Sequence, residues 1–273
     1  MGSAVGQVVS SQVSRLKGRY ERFGMKSVLF MVCCLLNLMP QDLFAQPIRL
    51  YAAAGVKSPI ENILETFEKQ SGQHFELSFD TAGAAQAQYL ADPSAQMLIT
   101  TQERIKESQA KGELKTGQMF LFAATVAGIA STLEPKPVIK TKEDLKALLL
   151  KVKSVAFSDP ERGATVGLHF IKVIRSLGIE KEVLLKSKKA REGLQTMQWV
   201  KDQSVELGVT QLSEIVQAAP QTLVGAFPEE FDLSTNYALW IKTPDSAVMK
   251  SLITWLQGAQ AKRLLSEQGL RPL

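Results

Sequence analysis

Cysteine is almost missing from this 273-residue chain, and its two copies, Cys33 and Cys34, sit side by side near the N-terminus. Residues 46–273 therefore hold no disulfide, no thiolate metal site and no cysteine nucleophile. Histidine is nearly as scarce. His74 opens an alternating apolar run and His169 lies in an amphipathic stretch, and neither stands in a Gly-x-Ser-x-Gly or His-Glu-x-x-His setting. A hydrolase needs a nucleophile and an oriented base within reach. No motif supplies that pair, so the chain is expected not to be an enzyme, with an exported hydrolase as the minor alternative. No His/Asp/Glu cluster has ligand spacing, so no metal and no cofactor is expected. A Gly-rich phosphate loop, internal repeats and low-complexity segments are also missing. Clustered positive charge is lacking too. The formal charge is +5, but residues 1–45 carry +3 of it, leaving +2 for the rest. Nucleic-acid binders present a basic face, and none is expected here.

What is present begins with an export pattern. Basic residues up to Lys26 precede "SVLFMVCCLLNLM", and "DLFAQ" then offers Ala45 for cleavage. A basic start, a short apolar run and a small residue read as a signal peptide over residues 1–45, with Met25 as a possible start. The run is short for a membrane span, so a retained anchor is the weaker reading. With 45% hydrophobic residues, the remainder is long enough for real cores.

Apolar and helical patterns then alternate. "IRLYAAA" (48–54) reads as a buried strand. Ser58-Pro59-Ile60-Glu61 has the spacing of a helix cap with proline in the first turn, and Ile60, Ile63, Leu64 and Phe67 repeat at helical spacing up to Gly72. "HFELSF" and "AQMLIT" read as strands around a helix that starts after Thr81. This β-α-β-α-β order predicts a parallel sheet covered by helices. "FLFAATVAGIA" (120–130) suits a strand leaving one lobe for another. Further strands are expected in "SVAFSDP", "VELGVTQ", "TLVGAFP" and "NYALWI", and helices after Thr141, through "GATVGLHFIKVIRSLGI", and from Thr243-Pro244 to Leu256. The expected plan is α/β with two lobes and a hinge, 46–124 plus 238–273 in lobe 1 and 125–237 in lobe 2. Ligands in such sheets bind where strands end and helix starts point free N–H groups at the cleft. Asp159 and Arg162 read as a turn aspartate and a surface arginine. Lys186, Lys188, Lys189 and Arg191 read as a solvated helix face, and Trp199, Trp240 and Trp255 as packing.

Several of these stretches resemble one family. "YAAAG", the block from "FEKQSG" to "QMLIT", "SDPERGATVG", "VELGVTQLSE", "FPEEFDLSTNYALWI" and "WLQGAQAKRLLSEQGL" follow, in order, the motifs of periplasmic molybdate-binding proteins of ABC importers, which are type II solute-binding proteins. The resemblance spans nearly all of residues 46–273. It implies a two-lobe binding protein in the periplasm that captures molybdate or tungstate by hinge closure and delivers it, as a monomer, to a membrane permease. A ligand sensor or adaptor of the same fold is the alternative. The implied ligand contacts are Ala54, Gly55, Ser58, Thr81, Ala82, Thr165, Val166, Thr210 and Tyr237, all neutral. Two positions depart from the pattern: serines are expected where Gly55 and Ala82 stand, and Gln96 replaces an aspartate. A hydrogen bond to a charged group contributes about 1.5–3 kcal/mol. Two missing hydroxyls thus remove roughly 3–6 kcal/mol, on the order of a hundred- to ten-thousand-fold in affinity.

Overall fold

The computed structural model describes residues 46–273, so the export signal expected over 1–45 lies outside the described residues. Strand β1 (Ile48–Ala53) runs into a 3-10 turn (Ala54–Val56) and then helix α1 (Lys57–Ser71). The turn feeds the helix directly, so the cap position falls on Val56, which offers no side-chain bond. The reading of Ser58 as the cap is therefore corrected. Its own amide donates to Gln217 Oε1 at 3.1 Å. The expected apolar stripe, Ile60, Ile63, Leu64 and Phe67, is buried, and Gly72 closes the helix in the left-handed region at φ 72°.

Strand β2 (Phe75–Asp80) pairs parallel with β1, and β3 (Met97–Thr101) pairs parallel with β1 on its other side. Helix α2 (Ala82–Ala91) joins β2 to β3, and the Thr81 hydroxyl caps it by accepting from the Ala84 amide at 3.1 Å. Helix α3 (Gln102–Ala110) was not legible in the sequence, because only Ile105 and Ser108 of its nine residues are buried. It starts on Thr101, whose hydroxyl accepts from Arg104 N.

Strand β4 (Gln118–Ser131) is 14 residues long and belongs to both halves of the sheet. Helix α4 (Lys142–Lys151) carries the Thr141–Asp144 capping box and leads to β5 (Val155–Ser158). Helices α5 (Thr165–Ser176) and α6 (Glu180–Leu184) follow. Then come β6 (Ser187–Ala190), α7 (Gly193–Lys201), β7 (Leu207–Gln211), α8 (Leu212–Ala218) and β8 (Leu223–Ala226). Strand β9 (Ser234–Ile241) returns the chain, and α9 (Ala247–Leu256), α10 (Ala259–Glu267) and the two-residue β10 (Arg271–Pro272) close it.

The strand order is β2-β1-β3-β9-β4-β7-β5-β6, with β8 and β10 also on β4. From Gln118 to Val126, β4 pairs antiparallel with β9, and from Ala127 to Ser131 it pairs antiparallel with β7. The cores divide at the same point. One set of buried residues joins Leu50, Ile63, Ile99, Ala123 and Leu239, while another joins Ala127, Leu145, Phe157, Phe170 and Val209. The architecture is the expected mixed α/β sheet flanked by helices, in two halves.

Two further readings change. Lys188 and Lys189 lie on β6, an edge strand, where both are exposed, and not on a helix. Four residues are too few to separate the two patterns, and lysines on an edge also block pairing with other chains. The helix expected to be capped by Thr243-Pro244 starts later, at Ala247, with Ser246 Oγ accepting from Met249 N. Trp240 is fully buried, while Trp199 and Trp255 are half-buried.

The second core turns on Phe157, which is fully buried with its ring 5.1 Å from that of Phe170. Replacing a buried phenylalanine by alanine costs about 3–5 kcal/mol. Phe157→Ala is therefore expected to lower the free energy of unfolding by that amount, read as a lower urea midpoint with the slope of the transition unchanged.

Candidate functional site

The ends of β1, β2, β5 and β7 and the start of α5 converge beside β9 and enclose a cavity of about 30 Å³. That is room for roughly two water molecules at the ~10–15 Å³ each requires. Eight of the nine expected contact positions line it: Ala54, Gly55, Thr81, Ala82, Thr165, Val166, Thr210 and Tyr237. Ser58 does not, because the 3-10 turn carries it one helical turn away and Gln217 holds its amide. Ser158, Gly193, Gln211 and Glu214 complete the polar or close-packed part of the wall. The lining contains no lysine, arginine or histidine.

The glycine at position 55 has a steric reason. A β-carbon there would stand 2.2 Å from the Tyr237 hydroxyl oxygen. The tyrosine hydroxyl thus occupies the space that a serine side chain at 55 would take. Tyr237 is buried, and burial first, then the nearby Glu214 charge, pushes its pKa well above the ordinary phenol value. It is therefore a neutral donor near neutral pH.

Glu214 is the residue that the sequence reading did not single out. It is buried, and its Oε2 accepts from the Thr210 hydroxyl and, at 3.1 Å, from the Gln211 amide. Gly193 makes room for it, since a β-carbon at 193 would lie 1.9 Å from Oε2. Burial pushes the Glu214 carboxyl up to about 7. The Thr210 hydroxyl and Gln211 amide work against that rise, and the Glu192 charge adds to it. The spacing Gln211-x-x-Glu214 is that of a capping box, which is the one local signal that could have drawn attention to this carboxylate. Its burial in a cavity wall is set by contacts distant in sequence.

Across the cleft, the two halves are tied together. Asp80, with a fully buried side chain, meets Arg162 Nη2 at 2.5 Å and Arg191 Nη2 at 3.1 Å. Burial raises the Asp80 pKa, but the bonds from Arg162, the Thr81 amide and Arg191 outweigh it and hold the carboxyl below its ordinary value. The Thr81 hydroxyl donates to the Arg162 carbonyl, Gly83 N to Gly163 O at 3.2 Å, and Arg104 Nη2 to Gly163 O at 3.1 Å. On the other side, Ser213 Oγ and Gln217 Nε2 both donate to Gly55 O, at 2.8 and 3.0 Å. Asp159 is the expected turn residue, accepting from Glu161 N at 3.0 Å. Arg162, read as a surface side chain, is instead half of this cross-cleft pair. Its partner lies 82 positions away in the chain, beyond any local pattern.

Two outcomes follow from this geometry. Gly55→Ser is expected to destabilise the fold by about 1–3 kcal/mol, the usual cost of overpacking, and Tyr237→Phe in the same chain is expected to recover most of it. Thermal unfolding of the two single variants and the double variant checks this coupling. Glu214 supplies the second. Its folded pKa is raised above the ordinary carboxylate value of about 4.3, so its contribution is present below that value and is lost as pH rises through about 7. Urea midpoints of the unaltered chain are expected to fall from pH 5 to 7.5, and Glu214→Gln is expected to flatten that slope.

A family model for bacterial extracellular solute-binding proteins matches residues 48–271. Among solved structures, the Azotobacter vinelandii periplasmic molybdate-binding protein is similar at 18% identity and a TM-score of 0.67, over 82% of this chain and 98% of that one. A Clostridium perfringens substrate-binding protein with bound phosphate matches at 11% identity and a TM-score of 0.63, over 84% of this chain and 100% of its own. The periplasmic binding protein AfuA of Actinobacillus pleuropneumoniae, with fructose-6-phosphate bound, matches at 14% identity and a TM-score of 0.62, over 83% and 84%. At these identities the likeness is one of fold, and the fold is that of the periplasmic binding proteins. With the family model covering almost all the described residues, the chain belongs to the bacterial extracellular solute-binding proteins.

Proposed function

We propose that this protein captures a small tetrahedral oxyanion in the periplasm and delivers it to the permease of an ABC importer. The reading rests on one observation: eight positions from both halves of the chain converge on one small cavity at the ends of the strands. A shell that small, closed by both halves, fits a ligand of a few heavy atoms. The Tyr237 hydroxyl and the amides at the start of α5 are the donors that such an anion would use, since the Thr81 and Thr210 hydroxyls already donate to the Arg162 carbonyl and Glu214, and helix starts favour negative charge. The solved neighbours that carry molybdate-binding and phosphate-bound titles support an anion as the ligand class.

Closure follows from the same contacts. The proposed hinge runs through β4 near Thr125 and β9 near Tyr237, with 46–124 and 238–273 on one side and 125–237 on the other. Opening it would separate Asp80 from Arg162 and Arg191, and closing it restores the pair and buries the ligand. The closed face is then what a permease recognises, and the protein works as a monomer with no cofactor and no nucleic acid. A thermal-shift screen with molybdate, tungstate, sulfate and phosphate tests the ligand class. A thousandfold excess over Kd stabilises by about 4 kcal/mol, so at least one anion is expected to raise Tm by several degrees. Asp80→Asn is expected to weaken that anion at least tenfold. No shift with any of the four would overturn the proposal.

A further inference from the structure

The wall of the cavity is short of side-chain donors and carries a strong acceptor. Gly55 and Ala82 carry no hydroxyl, while Glu214 brings a carboxyl group into the lining. Both donors to that carboxyl, Thr210 Oγ1 and Gln211 N, fall on Oε2, which leaves Oε1 without them. Gln211 adds a second acceptor. Its Nε2 donates to Thr235 Oγ1 at 3.0 Å, and its buried Oε1 accepts no hydrogen bond. The titratable groups that face Glu214 are Glu192, ahead of α7, and Tyr237 on β9. Neither is a cation, and no cation lines the cavity. A fully deprotonated anion entering here sets lone pairs against lone pairs at Glu214, and no cation in the lining offsets that repulsion.

Resting on the oxyanion reading above, we propose that the site is built for a tetrahedral oxyanion that keeps a hydroxyl, with hydrogen phosphate as its simplest member. The hydroxyl donates to Glu214, and the other oxygens accept from the Tyr237 hydroxyl and the amides at the start of α5. Phosphate retains at least one O–H near neutral pH, whereas sulfate and molybdate retain none. A site whose buried polar group needs a partner rejects the analogue that lacks one far more strongly than a site that discriminates by size. This selection would act through a single side chain, since Gly193 and Thr210 hold Glu214 in place and the remaining wall is neutral.

The test is calorimetric titration of the full chain with phosphate, sulfate and molybdate at pH 8, and with phosphate and sulfate again at pH 5.5. At pH 8 phosphate is expected to bind at least a hundredfold tighter than either of the others. At pH 5.5 a protonated Glu214 can itself donate, so the gap between phosphate and sulfate is expected to shrink at least tenfold. Glu214→Gln is expected to produce the same narrowing at pH 8, and if that variant fails to fold, the pH series on the unaltered chain decides alone. Sulfate or molybdate binding as tightly as phosphate at pH 8 would overturn this proposal and leave the oxyanion reading standing. A phosphate-to-sulfate ratio that does not move with pH would overturn it as well. No binding of any anion at either pH would overturn both.

Discussion

Strand β4 is the constraint on which the rest of this structure depends. A single run of extended backbone pairs with β9 over its first nine residues and with β7 over its last five. The two cores are built on either side of that change of partner, and no buried residue of one is shared with the other. The halves must therefore meet where β4 passes between them. The ends of β1 and β2 come to that line from one side, and those of β5 and β7 from the other. The cavity is the space left between the two sets of strand ends.

Polar groups near that line are either paired across it or turned into the cavity. Asp80 is desolvated completely, a state that costs several kcal/mol for an unpaired carboxylate. Two guanidinium groups from the opposite half offset that cost, so the position of the halves and the ionisation of Asp80 support each other. Glu214 is the opposite case. It is buried with two neutral donors and no cation, and its carboxyl is pushed up to about 7. One buried acid thus stays charged and ties the halves together, and the other holds its proton close to neutrality and faces the ligand space. The difference lies in the partners each meets.

Gly55 and Tyr237 are fitted to each other. The tyrosine hydroxyl stands where a side chain at 55 would begin, so the donor at this corner comes from β9. The residue type at either position alone conveys little, and the pair conveys the geometry.

Periodicity and turn chemistry made much of the fold legible. The apolar run of β1, the Ile60–Phe67 stripe of α1, the Thr141–Asp144 box and the long apolar stretch of β4 each carry their own local reason to form. Elements with weak or short patterns were not legible: α3 buries two side chains, and β6 has four residues that read equally well as a charged helix face. At the site, chain order and small residues marked where strands end and helices begin, and eight of the nine positions that the family resemblance implied line the cavity. Ser58 was misplaced because a 3-10 turn, invisible to a capping pattern, comes first. The sequence by itself determined the alternation of strands and helices, the absence of thiol chemistry and the neutral, small-residue character of the strand ends, because these follow from neighbours a few positions apart. Only the tertiary structure decided that Asp80 would find Arg162 and Arg191, that Tyr237 would stand against Gly55 and that Glu214 would face the cavity. Those pairings join residues from 82 to more than 180 positions apart, or depend on burial by such partners, and burial is a property of the packed chain.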